Sequence, residues 1–183
     1  MTDATEQASE QQRFPIGRHQ RRDIDVPNTP DERTGFIERL AQQTASMATI
    51  MDGLEESDWG NPYRPGGWTV QQLVHHVADS HANALIRLKV ALTEDVPTIK
   101  PYDQDAWVTL ADCSLPPHVS LMMFMAVQTR LISVLHSLDD AQFRRRFLHP
   151  ENGPMTVDQL LALYAWHGDH HIAQLQAYKA ARA

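Results

Sequence analysis

Thr156-Val157-Asp158-Gln159-Leu160-Leu161-Ala162-Leu163-Tyr164-Ala165-Trp166-His167-Gly168-Asp169-His170-His171-Ile172 is the stretch that decides how this chain is read. It opens on a threonine with a glutamine three residues on, the two halves of a helix capping box. Leu160, Tyr164, His167, His171 and Leu175 then fall on one helical stripe. His167 and His171 are one turn apart, so both imidazoles share the apolar, inward face. Two imidazoles held close among apolar side chains need partners, and a metal ion supplies them. The competing reading is a buried pair bonded to carbonyls or to each other. His170 is an alternative partner of His167 at the three-residue spacing.

A second stretch upstream is built alike. It opens Thr69-Val70-Gln71-Gln72, carries Leu73, Val77, Ala84 and Leu88 inward, and should run to about Thr93. It holds His75 and His76, which differ by about 100° around a helix. His76 lies nearer the Leu73/Val77 face and is the one chosen as third ligand. Three neutral nitrogens without a fourth protein ligand leave an open coordination position, the pattern of a working metal. Such a set suits Zn, Ni, Fe or Co; zinc is expected first and nickel second. The motif is not that of the zincins, which place a glutamate where Gly168 stands. Asp79 is a candidate to orient a ligand or, equally, a solvated charge. His81 is expected to point elsewhere, and His19, His118, His136 and His149 to lie on the surface.

Two further helices complete the pattern. Thr29, Pro30 and Glu32 begin the first, with Phe36, Ile37, Leu40, Thr44, Met47, Ile50 and Leu54 at helical spacing. The third covers about 117–137, with Leu121, Met125, Leu131, Ile132 and Leu135 inward and Met122 and Met123 as core filler. The loops 60–67 and 149–154 are rich in Pro and Gly. The expected fold is all-α: a four-helix bundle of two αα-hairpins, each presenting histidines from its second helix. An extended arm (13–26) precedes it, and a long connection, Glu94 to Pro117, joins helices two and three. A connection of that length is often functional. No strand-period alternation of useful length competes. Residues 1–12 read as a disordered tail and 13–183 as a single domain.

Composition narrows the function. The chain has 183 residues, 42% hydrophobic and 21% charged, with a net charge of -7. No broad basic stripe exists to meet phosphates, so no nucleic-acid partner is expected. No signal peptide and no membrane-spanning stretch were expected. Cys113, the only cysteine, excludes an intrachain disulfide and fits a reducing cytoplasm. Nothing beside it would activate the thiol.

The chain resembles the DinB superfamily, and within it the YfiT-like group of metal-dependent hydrolases and bacillithiol transferases. The matching stretches are Arg13-Phe14-Pro15-Ile16-Gly17, Pro62-Tyr63-Arg64-Pro65-Gly66-Gly67-Trp68-Thr69-Val70, and His75-His76-Val77-Ala78-Asp79-Ser80-His81. Further on come 91–95, 97–103 and Leu163-Tyr164-Ala165-Trp166-His167-Gly168. The resemblance implies a homodimeric bundle with one divalent metal per chain on His76, His167 and His171. It implies transfer of a low-molecular-weight thiol to a small electrophile. Hydrolysis by metal-activated water and a non-enzymatic metal-binding stress protein are the alternatives. Tyr63, Trp68, Tyr102 and Trp107 are candidates to line the substrate pocket or to anchor loops.

Overall fold

The computed structural model describes residues 10–182. Four long helices form a bundle: α1 (Pro30–Met51), α2 (Val70–Thr93), α3 (Pro117–His136) and α4 (Val157–Ala180). Three of their openings are the capping boxes legible in the sequence. Thr29, Thr69 and Thr156 each accept from the amide three residues on, and Glu32, Gln72 and Gln159 reach back to the cap amides. α1 stops at Met51, so Leu54 packs from the loop rather than from the helix.

The pairing inside the bundle differs from two chain-adjacent hairpins. α2 packs on α3 and α4, and α1 packs on α4 and α3, so α1 faces α2 across the bundle diagonal. Short loops force neighbouring helices together, whereas the connections 52–69 and 137–156 are long enough to cross a bundle end. This crossing seats α2 beside α4, the two helices that carry the histidine clusters.

The connection 137–156 also holds the strands β1 (Arg146–His149) and β2 (Gly153–Thr156), paired antiparallel with Phe147 opposite Met155. This small pair is an addition to the expected all-α bundle, which otherwise holds. Strands of four residues are too short for an alternating pattern, and the Asn152-Gly153 turn was the only signal. Gly153 takes φ +71°, which that turn requires. Phe147 and Met155 enter the core. The Ile99 amide donates to the Leu148 carbonyl at 3.0 Å and the Leu148 amide to the Pro97 carbonyl at 2.8 Å, pinning the long connection to β1.

That connection then folds over one side of the bundle. Gln72 Nε2 donates to the Val108 carbonyl at 3.1 Å, Gln71 Nε2 to that of Cys113 at 2.7 Å, and Trp68 Nε1 to Asp105 at 2.9 Å. The arm lies along α4: Gln174 Nε2 donates to the Arg13 carbonyl, Trp166 Nε1 to that of Gly17, and Gln159 Nε2 to that of Arg22. Of the expected tail, residues 1–9 lie outside the described residues, and residues 10–13 form a helical turn.

The core has two parts. One gathers Ile37, Leu40, Leu88, Leu131, Leu135, Phe147 and Leu160; the other gathers Met47, Met51, Leu73, Val77, Phe124 and Leu175. Residues 79–83 of α2 and 166–171 of α4 fall between them. The methionines of α3 are not core filler: Met122 is 64% and Met125 48% exposed, and Phe124 takes the buried place. By length and composition alone α3 is apolar enough to cross a membrane, with a mean hydropathy of 1.4, which differs from the expectation. Here it packs in the bundle through Phe124, Gln128, Leu131 and Leu135.

Candidate metal centre

His76, His167 and His171 come together at the α2–α4 seam, with one ring nitrogen of each within 4.8 Å of the others. His76 Nε2 lies 3.3 Å from His167 Nε2, and His171 Nε2 lies 3.2 Å from the same atom. The set is the one the face pattern selected. His75 is engaged elsewhere, with Nδ1 2.6 Å from Ser120 Oγ and Nε2 3.1 Å from the Leu115 carbonyl.

The protonation pattern of the cluster follows from its neighbours. Gln174 Nε2 sits 2.8 Å from the Arg13 carbonyl, an acceptor only, which fixes the orientation of the carboxamide. Its Oε1 therefore faces His171 Nδ1 at 2.8 Å and accepts the proton there. His171 Nε2 is left with a bare lone pair. Burial holds His76 down to about 4 and drives His167 and His171 well below the ordinary imidazole value, with the neighbouring histidines adding to the effect. Neutral rings with converging lone pairs repel, and one proton on His167 Nε2 can serve only one neighbour at a time. The donor set fits a divalent cation, which satisfies all three nitrogens at once.

Gly168 and His81 shape the floor of the site. A Cβ on Gly168 would meet Gln43 Oε1 at 2.2 Å. Glycine thus lets α1 press Gln43 against α4, where Gln43 Nε2 donates to the Ala165 carbonyl at 2.9 Å and to Asp169 at 3.0 Å. His81, expected to point away, is fully buried with its ring 5.5 Å from that of His167. Neither of its nitrogens has a partner among the described residues, and burial pushes it down to about 3. Asp79 makes no side-chain hydrogen bond to a histidine among the described residues; burial raises its carboxyl to about 6.

Two adjoining cavities reach the cluster. The larger, about 840 Å³, is lined by Arg13, Phe14, Tyr63, Arg64, Trp68 and Glu151 among others, and touches His170 and His171. The smaller, about 260 Å³, is bounded by all three cluster histidines with Ser80, Arg87 and Tyr102. Tyr63, Trp68 and Tyr102 thus line the site, whereas Trp107 packs on Tyr102 at 4.3 Å between ring centroids. Arg87 donates to Tyr164 Oη at 2.9 Å and to the Lys100 carbonyl at 3.3 Å. Burial lifts the Tyr102 hydroxyl to about 12.

Several lining residues had no mark in the sequence. His149, read as a surface residue, is buried and lines the smaller cavity. Arg87 and Glu151 reach it from the far half of α2 and from the β-turn, and no local spacing connects them to a histidine. Gln174 had a usable signal, since it stands three residues past His171 on the same helix.

Comparison with known proteins agrees with this architecture. The model of the DinB superfamily matches residues 39–175. A Bacillus mycoides protein named "Putative metal-dependent hydrolase" is 42% identical over 79% of this chain and 83% of its own length. A Bacillus cereus protein of the same name is 39% identical over 91% and 95%. The solved structure of YfiT from Bacillus subtilis, described as "a probable metal-dependent hydrolase with an unusual four-helix bundle topology", superposes with a TM-score of 0.89 at 36% identity. That match covers 94% of this chain and 98% of the other. The four-helix bundle protein TT2238, at 21% identity and TM-score 0.51, shares the fold alone. The chain belongs to the DinB superfamily.

Proposed function

We propose that this protein is a metal-dependent enzyme that transfers a low-molecular-weight thiol to a small electrophile. His76, His167 and His171 would hold one divalent cation, with zinc the first expectation and nickel the second. The observation that carries the metal is the convergence of the Nε2 atoms of His76, His167 and His171, with contacts of 3.2 and 3.3 Å. A cation bound there supplies Lewis acidity, which lowers the pKa of a thiol or a water that reaches it.

The rest belongs to the protein. Gln174 keeps the His171 lone pair directed inward, and burial keeps protons off the ligands at neutral pH. Two cavities meeting at one cluster give room for two reactants, which favours a two-substrate transfer. The larger cleft is polar, with Arg13 and Arg64 as well as Asp103, Asp105 and Glu151 in its wall, and can seat a charged thiol. The smaller chamber, with the Arg87 guanidinium and the Tyr102 hydroxyl, suits a compact electrophile.

Hydrolysis is the second reading. The names of the relatives support it, and Glu151, the carboxylate that lines both cavities, is the candidate base. One assay separates the two. Metal-loaded protein is given a model electrophile with bacillithiol, cysteine or glutathione, and separately ester and amide substrates without thiol. Metal-dependent conjugation with one thiol supports transfer. Turnover of esters or amides alone overturns transfer in favour of hydrolysis, and no turnover of either kind, with one metal per chain bound, favours a non-enzymatic metal protein.

A further inference from the structure

One side chain ties the histidine cluster to the arm. Gln174 is 2% exposed. Its Oε1 accepts from His171 Nδ1 at 2.8 Å, while its Nε2 lies 2.8 Å from the Arg13 carbonyl, 3.0 Å from His170 Nε2 and 3.1 Å from Tyr63 Oη. An amide nitrogen has two hydrogens, so three acceptors compete for them, and the acceptor-only carbonyl of Arg13 holds one.

The neighbouring arm residues grip the same patch of α4. Phe14 packs on His170 at 5.6 Å between centroids, and Trp166, stacked on His170 at 4.6 Å, donates to the Gly17 carbonyl at 3.2 Å. The Arg18 guanidinium lies over the Phe14 ring at 3.9 Å. Arg13 and Phe14 in turn form part of the wall of the larger cleft.

We propose that Gln174 is a positioning residue that couples metal loading to docking of the arm segment 13–17, so that the ligand His171 and the cleft wall are set by one side chain. The inference rests on His171 being a metal ligand. A ligating histidine fixed through its second nitrogen binds metal more tightly. The oxygen that accepts the His171 Nδ1 proton belongs to a carboxamide whose other end holds the arm. Coupling of this kind is reciprocal: metal strengthens arm docking to the same extent that the docked arm strengthens metal binding.

Two substitutions separate the ends of the carboxamide. Gln174→Met keeps the volume and loses both bonds. Gln174→Glu still accepts from His171 Nδ1 but cannot donate to the Arg13 carbonyl. Zinc affinity is measured by competition with a chromophoric chelator, and hydrogen exchange is followed over residues 10–18, with and without zinc, on full-length chains checked for helix content. The methionine variant should lose roughly 10- to 100-fold in zinc affinity and exchange faster over the arm. The glutamate variant should keep zinc affinity at or above that of the unmodified protein while the arm still exchanges faster. Zinc should slow arm exchange in the unmodified protein and in neither variant. A methionine variant within twofold of the unmodified affinity, or arm exchange indifferent to zinc in the unmodified protein, overturns the coupling. A protein that binds no zinc at all defeats the metal reading instead, and arm exchange in the metal-free variants still tests the Gln174 tether.

Discussion

Two polar clusters of this protein are both buried and yet are built in opposite ways. At the start of α1, Arg33 is 6% exposed and meets Asp158 through Nε at 2.7 Å and through a second nitrogen at 2.9 Å. A third contact reaches Asp140, and Asn28 bonds the Asp158 backbone and side chain. Each nitrogen of the guanidinium has a carboxylate acceptor. At the α2–α4 seam, by contrast, three ring nitrogens crowd together with contacts of 3.2 and 3.3 Å, and the side chains of His81, Arg87, Tyr102 and His167 each keep a buried polar atom without a partner among the described residues. Burial of unmet polar atoms costs stability. The first cluster is complete as protein. The second leaves polar atoms that the described residues do not meet.

The sharpest way to break the first cluster is Asp158→Ala, which strands a buried guanidinium. It should cost about 3–5 kcal/mol in denaturant unfolding, yet leave zinc stoichiometry unchanged where the chain is still folded. The corresponding change in the second is His167→Ala. It should abolish zinc binding and with it the stabilisation of about 2.7 kcal/mol that a hundredfold excess over Kd confers, read as the loss of a zinc-dependent rise in Tm.

Acid sharpens the contrast further. With the His76 imidazole held down to about 4, the unfolded chain takes up a proton before the folded one does. The metal-free protein should therefore keep its full stability above pH 6.5 and lose it as pH falls towards about 4, by at most about 1.4 kcal/mol per pH unit for each such histidine. A flat profile across that window would contradict neutral burial of the cluster. The smallest effect belongs to the satisfied histidine next door. Ser120→Ala removes one partner of His75 and should cost about 1 kcal/mol without altering zinc affinity.

What the sequence made legible was whatever depends on neighbours along the chain. The capping boxes at Thr29, Thr69 and Thr156 and the inward set of His76, His167 and His171 are spacing effects within single helices, and they stand in the structure as read. What remained hidden depends on contacts between distant segments. The α1–α2 pairing failed because long connections do not compel adjacency. Met122 and Met125 are apolar but face outward, since an apolar residue is not obliged to be inside. The strand pair is too short to show a period, and the place of Arg87, His149 and Glu151 in the site is fixed by tertiary packing alone.

The crossed order of the helices also sets a timetable. His76 and His167 are 91 positions apart and meet only because the last long helix lies beside the second. A chain growing from its N-terminus finishes α2 long before α4 exists. Until then the nascent protein cannot assemble the pocket of His76, His167 and His171. On the proposed ligand set, a fragment that ends before α4 lacks two of the three nitrogens and cannot compete for a cation through this site.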